Sequence, residues 1–246
     1  MQSPAFPQTE SLDLTGRLLC VFYAPRRSFA ALSEDPDWLD WFVPVAIVCL
    51  IGACSHFLTR DIVYNPETPL IKEQLQTLGE EQRQQHVADL AQAREKGWLL
   101  VVTGTFSSLV LVSGILWLLA RFVFTSEVGY RSLLVVKGYA SLIIAVEWLV
   151  RTGLILAWQT PVVQTGPGAL VPEAMARSFA GQTLLAISFF DLWQAVVLGL
   201  GLATVARVPV RKALFAVLAL WLFYVMSLGL LGSLTLAARS AQPAAQ

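Results

Sequence analysis

An all-α, polytopic membrane bundle of five spans is the fold class this sequence predicts. Two observations carry that prediction. Of 246 residues, 56% are hydrophobic and only 14% are charged, whereas soluble domains carry about 25% charged residues. The apolar residues also fall in long continuous blocks, which read as membrane helices; barrel strands would alternate.

The N-terminal 40 residues precede the first block. The opening "MQSPAFPQTESLDL" has no basic stretch followed by an apolar one, so no signal peptide is expected. Leu14, Leu18, Leu19, Val21 and Phe22 then recur at near-helical spacing, and Pro25 ends the pattern. Two placements fit residues 1–40: a helix in the membrane interface with Arg17, Arg26 and Arg27 at lipid phosphates, or a short helix packed on the bundle.

A crossing helix needs about 20 mainly apolar residues. Five stretches qualify, at about 41–58, 98–124, 132–158, 183–206 and 213–237. Trp41, Trp98 and Trp158 stand at span ends, at headgroup level. Between the first two spans, residues 59–97 are rich in helix formers and divided by Gly79. They predict two short helices outside the membrane, serving either as a partner surface or as a cap on the bundle. Residues 159–182, with Pro161, Pro167 and Pro172, read as an external loop, and residues 238–246 as a disordered tail.

Orientation follows from the basic residues of the short loops. Arg26, Arg27, Arg131, Arg207, Arg211 and Lys212 share one side of a five-span chain. This places the N-terminus in the cytoplasm and the C-terminus outside. Arg207, Arg211 and Lys212 are accordingly expected at the lipid interface.

The formal net charge is zero, so no global field would attract nucleic acid. Three cysteines without Cys-x-x-Cys spacing, and two histidines thirty residues apart, match neither a disulfide framework nor a metal site. No metal and no cofactor is expected.

The stretch "AVEWLVRTGL", residues 145–154, carries Glu147 and Arg151 on one helical face inside an apolar span. Charges there need partners. Counting depth along antiparallel spans puts Asp191 level with Arg151, and His56 is a possible fourth member. Lys137 is expected to snorkel toward the surface. Glu147, Arg151 and Asp191 would sum to one negative charge. Two roles stay open: a lock that fixes the register of spans three and four, or a proton or ion site in a small-solute or proton-coupled transporter. On either, removing Arg151 leaves carboxylates unpaired. Nothing else resembles an acid–base or nucleophilic constellation, so no enzyme and no catalytic residue is expected.

Three stretches resemble the Yip1 domain family. They are "APRRSFAALSEDPDWLDWFVP" with Pro25, Phe29, Leu32, Pro36, Trp38 and Pro44, then "GYRSLLVVKGYASL", and "DLWQAVVLGLGLATVARVPVRKAL". The resemblance covers nearly the whole chain. It implies a non-catalytic, five-span protein of a bacterial inner membrane, acting as a scaffold or accessory subunit in trafficking or export. Its implied partners are the lipid bilayer, other membrane proteins (an ABC-type transporter among them) or a second copy. No catalytic residues come with the family.

Overall fold

The computed structural model describes residues 13–31, 36–76 and 78–241, without the side chains of Glu173 and 238–241. Leu32, the early residues of the N-terminal segment and the last five of the tail lie outside the described residues. The described residues form helices and no strand.

The first helices of the described residues are α1 (Leu14–Tyr23) and α2 (Pro25–Ala30). Asp13 caps α1 by accepting from the Gly16 N–H at 2.7 Å. Pro25 opens α2 at a position where its missing N–H costs nothing. Ser28 Oγ donates to the Arg17 carbonyl at 2.8 Å and ties the two helices together. Val21 and Phe29 are buried in the core, and Phe22 meets Trp193 edge-on at 6.1 Å. Of the two placements open for this segment, packing on the bundle is the one observed.

The first span is α3 (Trp38–Val63). A capping box of Asp37 and Asp40 starts it. The segment that follows contains α4 (Pro69–Gln76) and then α5 (Glu80–Leu118), whose N-cap is Gly79. Gly79 divides the segment as expected. The second helix does not stop at the membrane, however. It continues into the second span for 39 residues, about 58 Å at 1.5 Å per residue, and the bilayer core accounts for only about 30 Å of that. Its outer half projects as a polar arm. Arg94 holds the arm to the end of α3 through two bonds to Asp61 Oδ1, at 2.9 and 2.6 Å. Both partners are exposed, so Arg94→Ala should leave global stability nearly unchanged. Its expected signature is local: faster amide exchange over residues 80–96 with the melting temperature nearly unchanged.

A π-helical turn, Leu119–Val123, ends α5, and α6 (Tyr130–Trp158) returns across the bundle. Then come a 3-10 turn at Pro167–Leu170, α7 (Glu173–Ala176), α8 (Phe179–Leu185), α9 (Phe189–Val205) and α10 (Val210–Ala241). Among the described residues, Thr125, Gln159 and Arg207 are the non-glycine residues with positive φ, and each follows the end of a span.

Among the described residues, four helices are long and apolar enough to cross a membrane: α3, α5 with its π turn, α6 and α10. The expected fourth span is the exception. It is not one helix from 183 to 206 but the pair α8 and α9, bent by 72°. Counted as one broken span, it brings the total to five.

α6 is the axis of the bundle, with 67% of its apolar window buried against 17% for α5 and for α10. Leu133, Val136, Tyr139, Ala140 and Ile143 are fully enclosed by α3, α5 and α9. Lipid tails are as apolar as leucine, so close packing rather than water exclusion must hold these helices together. Outward-facing Phe215, Phe223 and Leu231 of α10 remain for the lipid.

Candidate functional site at the break in span four

Ser188 is where the fourth span breaks. It caps α9 by accepting from the Phe190 N–H at 3.1 Å, and its hydroxyl donates to Glu147 Oε1 at 2.9 Å. Thr165 approaches from the preceding loop. Its hydroxyl donates to the same oxygen at 2.6 Å, while its carbonyl accepts from the Phe189 N–H at 3.2 Å. The loop reaches this depth because residue 166 is glycine: a Cβ there would overlap the Ile187 carbonyl oxygen. The 159–182 segment is therefore partly folded inward, where protein covers its irregular backbone.

Glu147 is 5% exposed. Arg151 is its i,i+4 neighbour with an N–O distance of 3.8 Å, but the arginine side chain is 45% exposed. The expected bridge of Arg151 between two carboxylates is not formed. Hydroxyls satisfy Glu147, and Arg151 lies at the margin.

Asp191 sits in the first turn of α9, where the positive end of the helix dipole favours an acid. It lies within electrostatic reach of Glu147, Lys137 and Arg151. Lys137 was expected to snorkel, yet it is only 5% exposed. It lies about two turns into α6, enclosed by neighbouring helices rather than lipid, and so has no short path to the surface. Two cations thus stand against two carboxylates, and the cluster balances where three residues alone would not.

His56 is not a member. It is buried at the far end of α3, where its Nε2–H donates to the Arg94 carbonyl at 3.2 Å. Gly97 leaves room for the ring: a Cβ on that residue would collide with it. Arg17 also departs from expectation. It turns inward and pairs with Asp40 at 2.9 Å, with the two side chains 17% and 12% exposed. Arg26, Arg27 and Arg207 line one cavity. Arg211 and Lys212 are exposed in the first turn of α10. Among the described residues, no group of three His, Cys, Asp or Glu side chains is placed to hold a metal.

Two members of the site lay beyond the sequence reading. Ser188 carried a signal, since Ser188-Phe-Phe-Asp191 has the spacing of a helix start. Thr165 carried none, because only tertiary folding brings it to Glu147.

A helical bundle with a broken fourth span and a basic turn before the fifth has formed, and the Yip1 domain model matches residues 19–231. The chain belongs to the Yip1 family. No curated protein and no solved structure matches it. The Yip1 family is generally one of non-catalytic membrane proteins, and this Yip1 domain is an integral membrane protein whose helices require a lipid bilayer. The match covers every member of the cluster, from Lys137 to Asp191, together with the polar arm.

Proposed function

We propose that this Yip1 protein is a non-catalytic scaffold or accessory subunit that acts through partner membrane proteins in trafficking or export. The observation that carries the reading is the polar arm. The outer half of α5 presents exposed Glu81, Gln82, Gln85 and Asp89, beyond the length that crossing the hydrocarbon layer needs, on a helix continuous with a span. The lightly buried apolar faces of α5 and α10 are suited to lipid, a partner's spans or a second copy. An ABC-type transporter in a bacterial inner membrane is one partner class that the family resemblance implies. The distribution of short-loop basic residues supports a cytoplasmic N-terminus and an external C-terminus, and Ser126 Oγ donating to the Ala206 carbonyl at 3.0 Å joins two of those loops at one end.

The test is affinity capture of the tagged protein in mild detergent, wild type against a deletion of residues 67–95. A stoichiometric membrane protein retained by the wild type and lost from the deletion is the expected result. A lone protein in both samples would sink the reading.

A second reading is favoured by one observation. The break at Ser188 sets the N-terminus of a half-helix, with Asp191 in its first turn, against Glu147, an arrangement that can serve ion or proton translocation. Proton flux in proteoliposomes, abolished by Glu147→Gln and by Asp191→Asn, would establish it over the scaffold.

A further inference from the structure

Packing on the bundle covers only one face of α1, and the depth of the helix decides what the other face meets. Phe22 lies edge-on to Trp193 at 6.1 Å, and the adjoining Gln194 Nε2–H donates to the Ala140 carbonyl at 3.2 Å. Arg131 is exposed at the start of α6, where that span leaves the membrane surface. Ala140 stands nine residues beyond it, about 13 Å at 1.5 Å per residue. Earlier in α1, Arg17 pairs with Asp40, and the next residue, Trp41, sets its carbonyl against Gly138, about 10 Å in by the same count. The hydrocarbon core is about 30 Å thick, so α1 lies well inside one leaflet. α2 leads back out: Ala30 lines a cavity with Arg207 and Val210 at the turn joining α9 to α10.

The side chains suit that depth. Arg17 is the only charged residue of α1, and it turns inward to its partner, as a charge inside a membrane must. Outward, Leu19 is 58% exposed and Tyr23 76%, one turn apart on a single face. The backbone suits it too, since hydrocarbon tolerates few unsatisfied polar groups. At the tip between the two helices, the Ala24 N–H donates to the Cys20 carbonyl at 2.8 Å. The Ala24 carbonyl accepts from the N–H groups of Arg27 and Ser28 at 2.9 and 3.2 Å, and Pro25 has no N–H to satisfy. The Arg17–Asp40 pair also sets α1 beside the start of the first span, where Trp38, Leu39 and Phe42 are exposed toward the bilayer. The outer face of α1 continues that lipid-facing surface.

We infer that α1 and α2 form a wedge embedded in one leaflet, with Leu19 and Tyr23 as a contact surface for the acyl chains of its lipids. α1 has 10 residues, too few to cross the bilayer. It nevertheless lies deeper than a helix resting at the boundary of headgroups and acyl chains.

Photocrosslinking of the wild-type full chain in phosphatidylcholine nanodiscs tests this, with a diazirine placed either at the middle of the lipid's acyl chain or on its headgroup. Trypsin releases residues 18–26 as one peptide that holds both Leu19 and Tyr23. The mid-chain probe should label that peptide, as it labels α10 through outward-facing Phe215 and Phe223, and the headgroup probe should label it less. A melting series adds a readout that does not depend on labelling chemistry. Leu19→Asp should lower the melting temperature in nanodiscs, because it puts an unpaired charge among acyl chains. Leu19→Ala, which removes only exposed apolar surface, should melt close to wild type. Val87→Asp, on the polar arm, should do the same. Stronger labelling of the peptide by the headgroup probe would place α1 at the surface and overturn the inference, and labelling by neither probe would overturn it too. So would a melting temperature for Leu19→Asp equal to that of Leu19→Ala.

Discussion

Glu147→Ala should be among the most damaging single substitutions in the bundle, costing about 3 kcal/mol. Glu147 Oε1 accepts from both Thr165 and Ser188. Removing the carboxylate strands two hydroxyl donors and unties the 165 loop from the break in span four. Arg151→Ala, by contrast, removes a half-exposed partner at 3.8 Å and should cost no more than about 1 kcal/mol. The damage expected on sequence grounds at Arg151 is thus relocated to the acid. Glu147→Gln keeps the shape and one acceptor, so it should fall between the two. Thermal melting of the three variants in one detergent checks the order. Equal losses for Arg151→Ala and Glu147→Ala would show that the ion pair, not the hydroxyls, holds the site.

Arg17→Ala should produce a loss of similar size by a different route. Each oxygen of Asp40 has its own partner: Arg17 Nη1 at 2.9 Å for one, and the Asp37 N–H at 3.2 Å for the other. Both side chains of the pair are largely enclosed. Removing the arginine leaves a buried carboxylate without its countercharge, which costs roughly 3 kcal/mol or more. Replacing both partners, Arg17→Met with Asp40→Leu, removes the stranded charge as well and should return most of the stability. A double-mutant cycle by thermal melting measures the coupling. A cost below about 1 kcal/mol for Arg17→Ala would instead fit an exposed surface pair and a loosely attached α1.

The unbroken spans were legible because their length and apolarity are set by the bilayer, a constraint that every residue in the run obeys. The break in span four was not. No proline or glycine stands at Ala186, Ile187 or Ser188, so nothing local forces the chain to turn there. The bend is held by contacts from Thr165 and Glu147, which are far away in sequence. Glu147 and Asp191 were identifiable as charges within apolar runs. Their balance was misjudged because a lysine near a span end ordinarily reaches for water, whereas Lys137 is enclosed on the most buried helix. His56 and Arg17 show the opposite limit. Depth along a helix follows from residue counting, but the azimuth that decides between two neighbouring helices does not.

The unbroken path of α5 from Glu80 to Leu118 has a mechanical consequence. A helix without a proline, a bulge or a π turn over that length resists bending, and it transmits tilt better than it absorbs it. A force applied to its outer end turns the whole rod about its contacts with α3 and α6. The displacement is taken up at the first compliant joint, the irregular turn at Leu119–Val123. Docking on one side of the bilayer would therefore be felt on the other as strain in that joint, beside the Ser126 bond that links it to the α9–α10 turn.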